Sequence, residues 1–135
     1  MRQRIKNVEA ATARYEGRLF GDISAVTQLN RMGRPLEILL ARGDWNGRLV
    51  NGSDYPLPGV MPIFSVQRFV EEGYVTSSQA SVISEIRHYN PLLFDFVLKR
   101  SLVKNGRRFA PIVFESRRLF GREPSTTTGI HGGAD

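Results

Sequence analysis

The chain carries sixteen Arg and only three Lys, and that imbalance points to the chemistry open to it. A guanidinium is planar and permanently charged; its donors meet phosphate oxygens in pairs, and its face stacks on flat rings. Placement sharpens the point. The first twenty residues hold Arg2, Arg4, Lys6, Arg14 and Arg18 against Glu9 and Glu16. The stretch 99–122 holds Lys99, Arg100, Lys104, Arg107, Arg108, Arg117, Arg118 and Arg122, opposed by Glu115 and the adjoining Glu123. Residues 21–96 hold six Arg and eight carboxylates, so the net charge of +6 comes from the two flanks. A chain built this way lies along a polyanion with its flanks while its apolar part packs elsewhere. With a pI near 10.3, nucleic acid is the leading partner class and an anionic membrane surface the second. The flank residues named above, with Arg31 and Arg34, are the candidate RNA contacts.

Other chemistries lack their residues. With no Cys there are no disulfides, thiolate metal sites or cysteine nucleophiles. His88 and His131 are the only histidines, one following Arg87 in a helical stretch and one in the C-terminal tail. They form no metal-ligand pair, and Glu71-Glu72 reads as a solvated helix end rather than a catalytic dyad. No phosphate-binding or dinucleotide glycine pattern occurs. Arg42-Gly43-Asp44 spells an adhesion tripeptide by chance, and Asp44-Trp45-Asn46-Gly47 reads as a turn. Trp45 and Tyr55, near Arg42 and Arg48, suit either base stacking or packing on a neighbour. Phe20, Trp45, Tyr55, Phe69 and Tyr74 are the aromatics assigned to protein packing. Together these observations predict a protein that is not an enzyme and uses no metal, cofactor or small-molecule substrate.

The elements that must position these groups follow from spacing. An apolar fraction of 41% supports one small core. Ile5, Val8, Thr12, Tyr15 and Leu19 fall at helical spacing and predict an amphipathic helix over 2–19, ended by Gly21-Asp22. Residues 30–35 read as a turn. Residues 36–41 suit a short helix or a buried strand equally. Residues 42–62 are dense in Gly and Pro and predict a long loop holding at most one small hairpin. Pro62 opens a helix with Ile63, Val66, Phe69 and Val70, and Gly73 stops it. Thr76 and Gln79 have capping-box spacing for a helix with Val82, Ile83 and Ile86. Asn90-Pro91 opens another, with Leu92, Leu93, Phe96 and Val97, closing on Lys99 and Arg100 as its dipole prefers.

From Ser101 the periodicity weakens. Phe109, Ile112, Val113, Phe114, Leu119 and Phe120 lie between arginine pairs, which predicts an extended arm ahead of the alternative of one more helix of the same domain, and 124–135 is low-complexity. The expected fold is therefore mainly α. It has a core of three to four short helices within residues 1–100 and an extended basic arm over 101–135. No apolar run approaches the ~20 residues of a membrane span. The N-terminus lacks a secretory apolar core; it is Arg-rich like a mitochondrial presequence, although Glu9 and Glu16 oppose that reading.

The run Ala13-Arg14-Tyr15-Glu16-Gly17-Arg18-Leu19-Phe20-Gly21-Asp22-Ile23 resembles the opening of the mitochondrial small-subunit ribosomal protein family numbered thirty-three. Members begin with an amphipathic helix ending in an Arg-Leu-Phe-Gly-acidic-aliphatic run, here Arg18 to Ile23. A short apolar segment, a Tyr/Pro loop and a helix with a Gly-aromatic turn follow in that family. Here they correspond to residues 36–41, Asp54-Tyr55-Pro56, and the helix from Pro62 to Glu72-Gly73-Tyr74-Val75. The resemblance spans roughly residues 5 to 85. The chain departs from it in a longer Gly/Pro-rich loop, an added apolar helix at 90–100, and an Arg-rich rather than Lys-rich C-terminal part.

The resemblance implies a non-catalytic component of the mitochondrial ribosome, in the head of the small subunit. Ribosomal RNA and other small-subunit proteins would be its partners, and the family's RNA contacts carry over to Arg14 and Arg18. The charge pattern alone also admits a viral or phage nucleic-acid packaging protein, whose centre self-associates while its flanks bind the genome.

Overall fold

The helices begin and end where the sequence supplies their caps. A computed structural model describes Lys6, Ala10 and residues 13–15, 19–60 and 63–120. The chain is mainly helical. Helix α1, Arg34–Ala41, settles the ambiguity at 36–41: it buries Leu36 and Leu40 four residues apart, on one face. Helix α2, Val66–Glu71, is capped by Ser65, whose hydroxyl accepts from the Arg68 amide. The expected start at Pro62 lies outside the described residues; Ile63 and Phe64 precede the helix, and Phe64 is buried in the core.

At its far end α2 closes in a Schellman motif. The Tyr74 amide donates to Phe69 O (2.8 Å), and the Gly73 amide donates to Val70 O (2.9 Å). Gly73 takes φ +72°, a conformation open to glycine at little cost. Tyr74 folds back on Phe69, edge to face at 5.8 Å.

Helix α3, Ser77–Tyr89, carries the full capping box. The Gln79 amide donates to Thr76 Oγ1 (3.2 Å), and the Thr76 amide donates to Gln79 Oε1 (2.9 Å). Helix α4, Pro91–Ser101, has Asn90 accepting from the Leu93 amide (2.9 Å) and Pro at its first position. The pair α3–α4 is the largest helix contact. Phe94 and Leu98 on α4 are fully buried in the same core cluster as Ala80 and Ile83 of α3.

Among its described residues, 42–60, the loop at 42–62 contains no hairpin. It folds as 3-10 turns, Gly43–Arg48 and Leu57–Gly59, around a short strand. That strand, β2 (Leu49–Val50), pairs in parallel with β1 (Gly21–Asp22), Gly21 opposite Leu49 and Asp22 opposite Val50. Asp22 also accepts from the Gly52 amide (3.0 Å) and the Ser24 amide (2.8 Å), fastening the loop to the start of the domain.

The expected arm from Ser101 is corrected by the structure, because residues 102–120 belong to the domain. Leu102 and Val113 are fully buried and Phe109 nearly so. The Asn51 amide donates to Val113 O (2.8 Å), and the Val103 amide donates to Tyr74 O (2.9 Å). The segment turns tightly at Asn105-Gly106, both at positive φ, with Lys104 and Arg107 bonded across the turn. That is the geometry an Asn-Gly pair favours. A 3-10 turn, Pro111–Phe114, and a last short helix, α5 (Arg117–Phe120), complete it. Burial of these apolar residues outweighs the repulsion among the arginines, which point outward.

Most of the expected helix over 2–19 lies outside the described residues; Lys6, Ala10, Ala13 and Arg14 are helical and exposed.

Candidate nucleic-acid interface

Folding the 102–120 segment onto the domain gathers arginines from distant parts of the chain. The Asn105-Gly106 turn lifts Arg107 and Arg108 to the surface, both exposed. Arg107 Nη1 donates to Ala41 O (3.2 Å), which places it at the end of α1. The next residue, Arg42, holds Asp44 through Nε (2.9 Å) and Nη2 (2.7 Å), and its guanidinium lies 4.1 Å over the Trp45 ring. That grip holds the Asp44 carboxyl below the usual carboxylate range.

On α5, Arg118 spans the seam between segments. It donates to Ile112 O (3.4 Å), Gly47 O (3.2 Å) and Leu49 O (3.2 Å), with its guanidinium 6.0 Å over Phe20. Arg117 beside it is exposed. Arg100, on the last turn of α4, sits over Phe96 and Phe114 at 5.7 and 5.2 Å. Those rings meet edge to face at 5.4 Å. Stacked or backbone-anchored guanidiniums lose little further freedom when a phosphate binds, so Arg100, Arg107 and Arg118 are preorganised for anions, and the arginines of residues 100–118 are together called the arginine ridge.

The sequence-derived contacts divide accordingly. Arg100, Arg107, Arg108, Arg117 and Arg118 lie on linked segments. Arg31 and Arg34 are exposed near the start of α1. Lys6 and Arg14 are exposed, and Arg14 lies 5.7 Å over its neighbour Tyr15. Arg2, Arg4, Arg18 and Arg122 lie outside the described residues.

Lys99 is corrected: it is 0% exposed and cannot reach RNA. Its Nζ donates to Asp95 Oδ2 (2.6 Å) and Gly52 O (2.8 Å), while Thr27 Oγ1 donates to Asp95 Oδ1 (3.4 Å). The pair staples the loop at Gly52 to α4. Lys104 is half-buried, with Nζ donating to Glu72 O and lying 4.8 Å over the Tyr74 ring.

The packing aromatics divide as well. Phe69 and Tyr74 fill this domain's own core, so no neighbour packs on them. Trp45 packs partly against the core beneath Arg42. Phe20 is partly exposed and Tyr55 is well exposed.

Sequence reasoning passed over Arg42 as an anchored, stacked cation, although Asp44 two residues on was the available signal. It also passed over Arg87, whose guanidinium lies 5.1 Å over Phe94. Among the described residues no cluster of His, Asp and Glu could hold a metal ion, and no helix is long and apolar enough to cross a membrane. No known family, curated protein or solved structure matches this chain.

Proposed function

We propose that this chain is a non-catalytic RNA-binding building block of the mitochondrial small ribosomal subunit. The observation that carries the RNA reading is the arginine ridge of residues 100–118. Exposed guanidiniums are held there by aromatic faces and backbone carbonyls, and Glu115 is the only carboxylate within the stretch. The mechanism is electrostatic: guanidiniums displace counterions from the phosphate backbone and fix the protein's register on a folded RNA. Specificity comes from RNA shape, since the deep, narrow major groove of A-form RNA is closed to side chains. The ribosomal setting draws its support from the resemblance of residues 13–23 to family thirty-three. The mitochondrial location follows from the same resemblance.

The test is RNA affinity measured against salt concentration. Arg108 and Arg117 are exposed and have no intramolecular partner among the described residues, so Arg108→Gln and Arg117→Gln leave the fold intact. Each is expected to lower the slope of log affinity against log salt by about one. A slope unchanged in both variants would remove the ridge from the interface.

A further inference from the structure

A cavity of about 500 Å³ opens between the last turns of α3, the start of α4 and the segment before α2. Its polar lining comprises Arg87, His88 and Ser84 from α3, and Ser65 and Gln67 from the α2 side. None of the residues lining it is a carboxylate.

Arg87 differs from Arg42, Lys99 and Arg118. Arg42 holds Asp44, Lys99 holds Asp95, and Arg118 is met by three carbonyls. Arg87 packs on the Phe94 ring at 5.1 Å and donates one long bond, Nη2 to Val60 O at 3.5 Å. Among the described residues it has no carboxylate partner. Burial without a counter-ion pushes its pKa down from the ordinary Arg value. A guanidinium with most of its donors unused, in a cavity free of negative charge, gains the most from an incoming anion.

The surrounding groups suit a tetrahedral anion. His88 Nδ1 lies 3.0 Å from Ser84 O and, since a carbonyl can only accept, donates its proton there; that donor is used within the helix, and the ring serves as part of the cavity wall. Ser65 Oγ accepts from the Arg68 amide, which leaves its own proton free to donate. Serine hydroxyls from two elements and the Arg87 guanidinium thus line one cavity, and such donors match phosphate oxygens.

We propose that this cavity binds a phosphate group, carried either by a free nucleotide or by an RNA backbone. The RNA source rests on the function proposed above; the phosphate site does not.

The test follows the Arg87 side chain and the Ser65 and Ser84 amides by proton–nitrogen NMR in the full chain. The probes are inorganic phosphate, uridine monophosphate and a single-stranded RNA of about twelve nucleotides. Saturable shifts of these resonances are expected with phosphate and nucleotide in the millimolar range. Arg87→Gln should weaken them at least tenfold and Arg87→Lys less, with a thermal melt confirming folding. Should Arg87→Gln fail to fold, Ser65→Ala and Ser84→Ala give a second reading, each expected to weaken binding several-fold.

The two sources separate cleanly. Cavity shifts with RNA that survive in Arg108→Gln and Arg117→Gln assign it an RNA phosphate. Cavity shifts with nucleotide from a chain that binds no RNA assign it a free nucleotide and sink the RNA reading alone. Absence of saturable cavity shifts up to about 10 mM ligand, or an unchanged affinity in folded Arg87→Gln, overturns the proposal.

Discussion

Replacing Lys99 with Met makes the stability of this domain far more dependent on pH. Asp95 and Lys99 lie one turn apart on α4, 1% and 0% exposed, with 2.6 Å between Oδ2 and Nζ. Burial pushes the Asp95 carboxyl up to about 6, although the Lys99 ammonium and the Thr27 hydroxyl pull it the other way. Burial likewise pushes Lys99 down, against the pull of Asp95. Desolvation therefore outweighs attraction at both ends of the pair.

The signs follow. An unfolded Asp releases its proton near pH 3.9, while the folded one holds it to about 6. Stability from Asp95 is fully present below the unfolded value and falls as pH rises through the folded one, by about 3 kcal/mol in all. Above that it is flat. Lys99 has the opposite sign: the folded state loses this proton first, so its contribution rises with pH toward the unfolded lysine range.

Lys99→Met keeps the apolar stem and removes the charge that restrains Asp95. The carboxyl then titrates above its present value, and stability goes on falling at up to about 1.4 kcal/mol per pH unit. Between about pH 6 and 8 the variant should lose up to roughly 3 kcal/mol that the parent retains. Urea denaturation followed by circular dichroism at several pH values measures this directly. Parallel pH profiles for variant and parent would refute the assignment of desolvation as the dominant cause.

Three further outcomes are expected. Leu102→Ala and Val113→Ala should each cost about 2–4 kcal/mol in denaturant melts, because both side chains are fully buried; a loss under about 0.5 kcal/mol would return residues 102–120 to a free arm. Thr76→Ala breaks the capping box of α3 and should cost about 1 kcal/mol, with amide exchange accelerated first at the start of that helix. Replacing the buried pair together, Asp95→Leu with Lys99→Met, should be neutral to stabilising, whereas Asp95→Leu alone should cost about 3–5 kcal/mol by leaving the ammonium unpaired.

What could be read from the sequence was local. The capping box at Thr76 and Gln79, the Asn90-Pro91 start and the Gly73 stop are each fixed within a few residues, and all three form as expected. The helical class follows from them. Residues 36–41 stayed open because five apolar positions in a run of six fit two periods, and burial against the rest of the domain decides between them. Residues 102–120 misled because Leu102, Phe109 and Val113 reach the core from an irregular segment with no single period. The Asn105-Gly106 pair was a local turn signal there, and it went unused. Lys99 misled for a different reason. A Lys in the last turn satisfies the helix dipole equally well in solvent, and only its spacing of four from Asp95 hinted at a buried pair. Of the candidate interface, the residue types were legible, but the clustering of the ridge was not. It depends on Arg107 meeting Ala41 and Arg118 meeting Gly47 and Leu49, contacts that join positions more than sixty residues apart.

The most direct measurement is sedimentation of a tagged copy through a gradient of mitochondrial lysate, with and without ribonuclease. Co-migration with the small ribosomal subunit, lost after digestion and weakened by Arg108→Gln with Arg117→Gln, is the expected result. Migration as a free or self-assembled species, indifferent to ribonuclease, would contradict the proposed function and favour a protein whose centre associates with copies of itself.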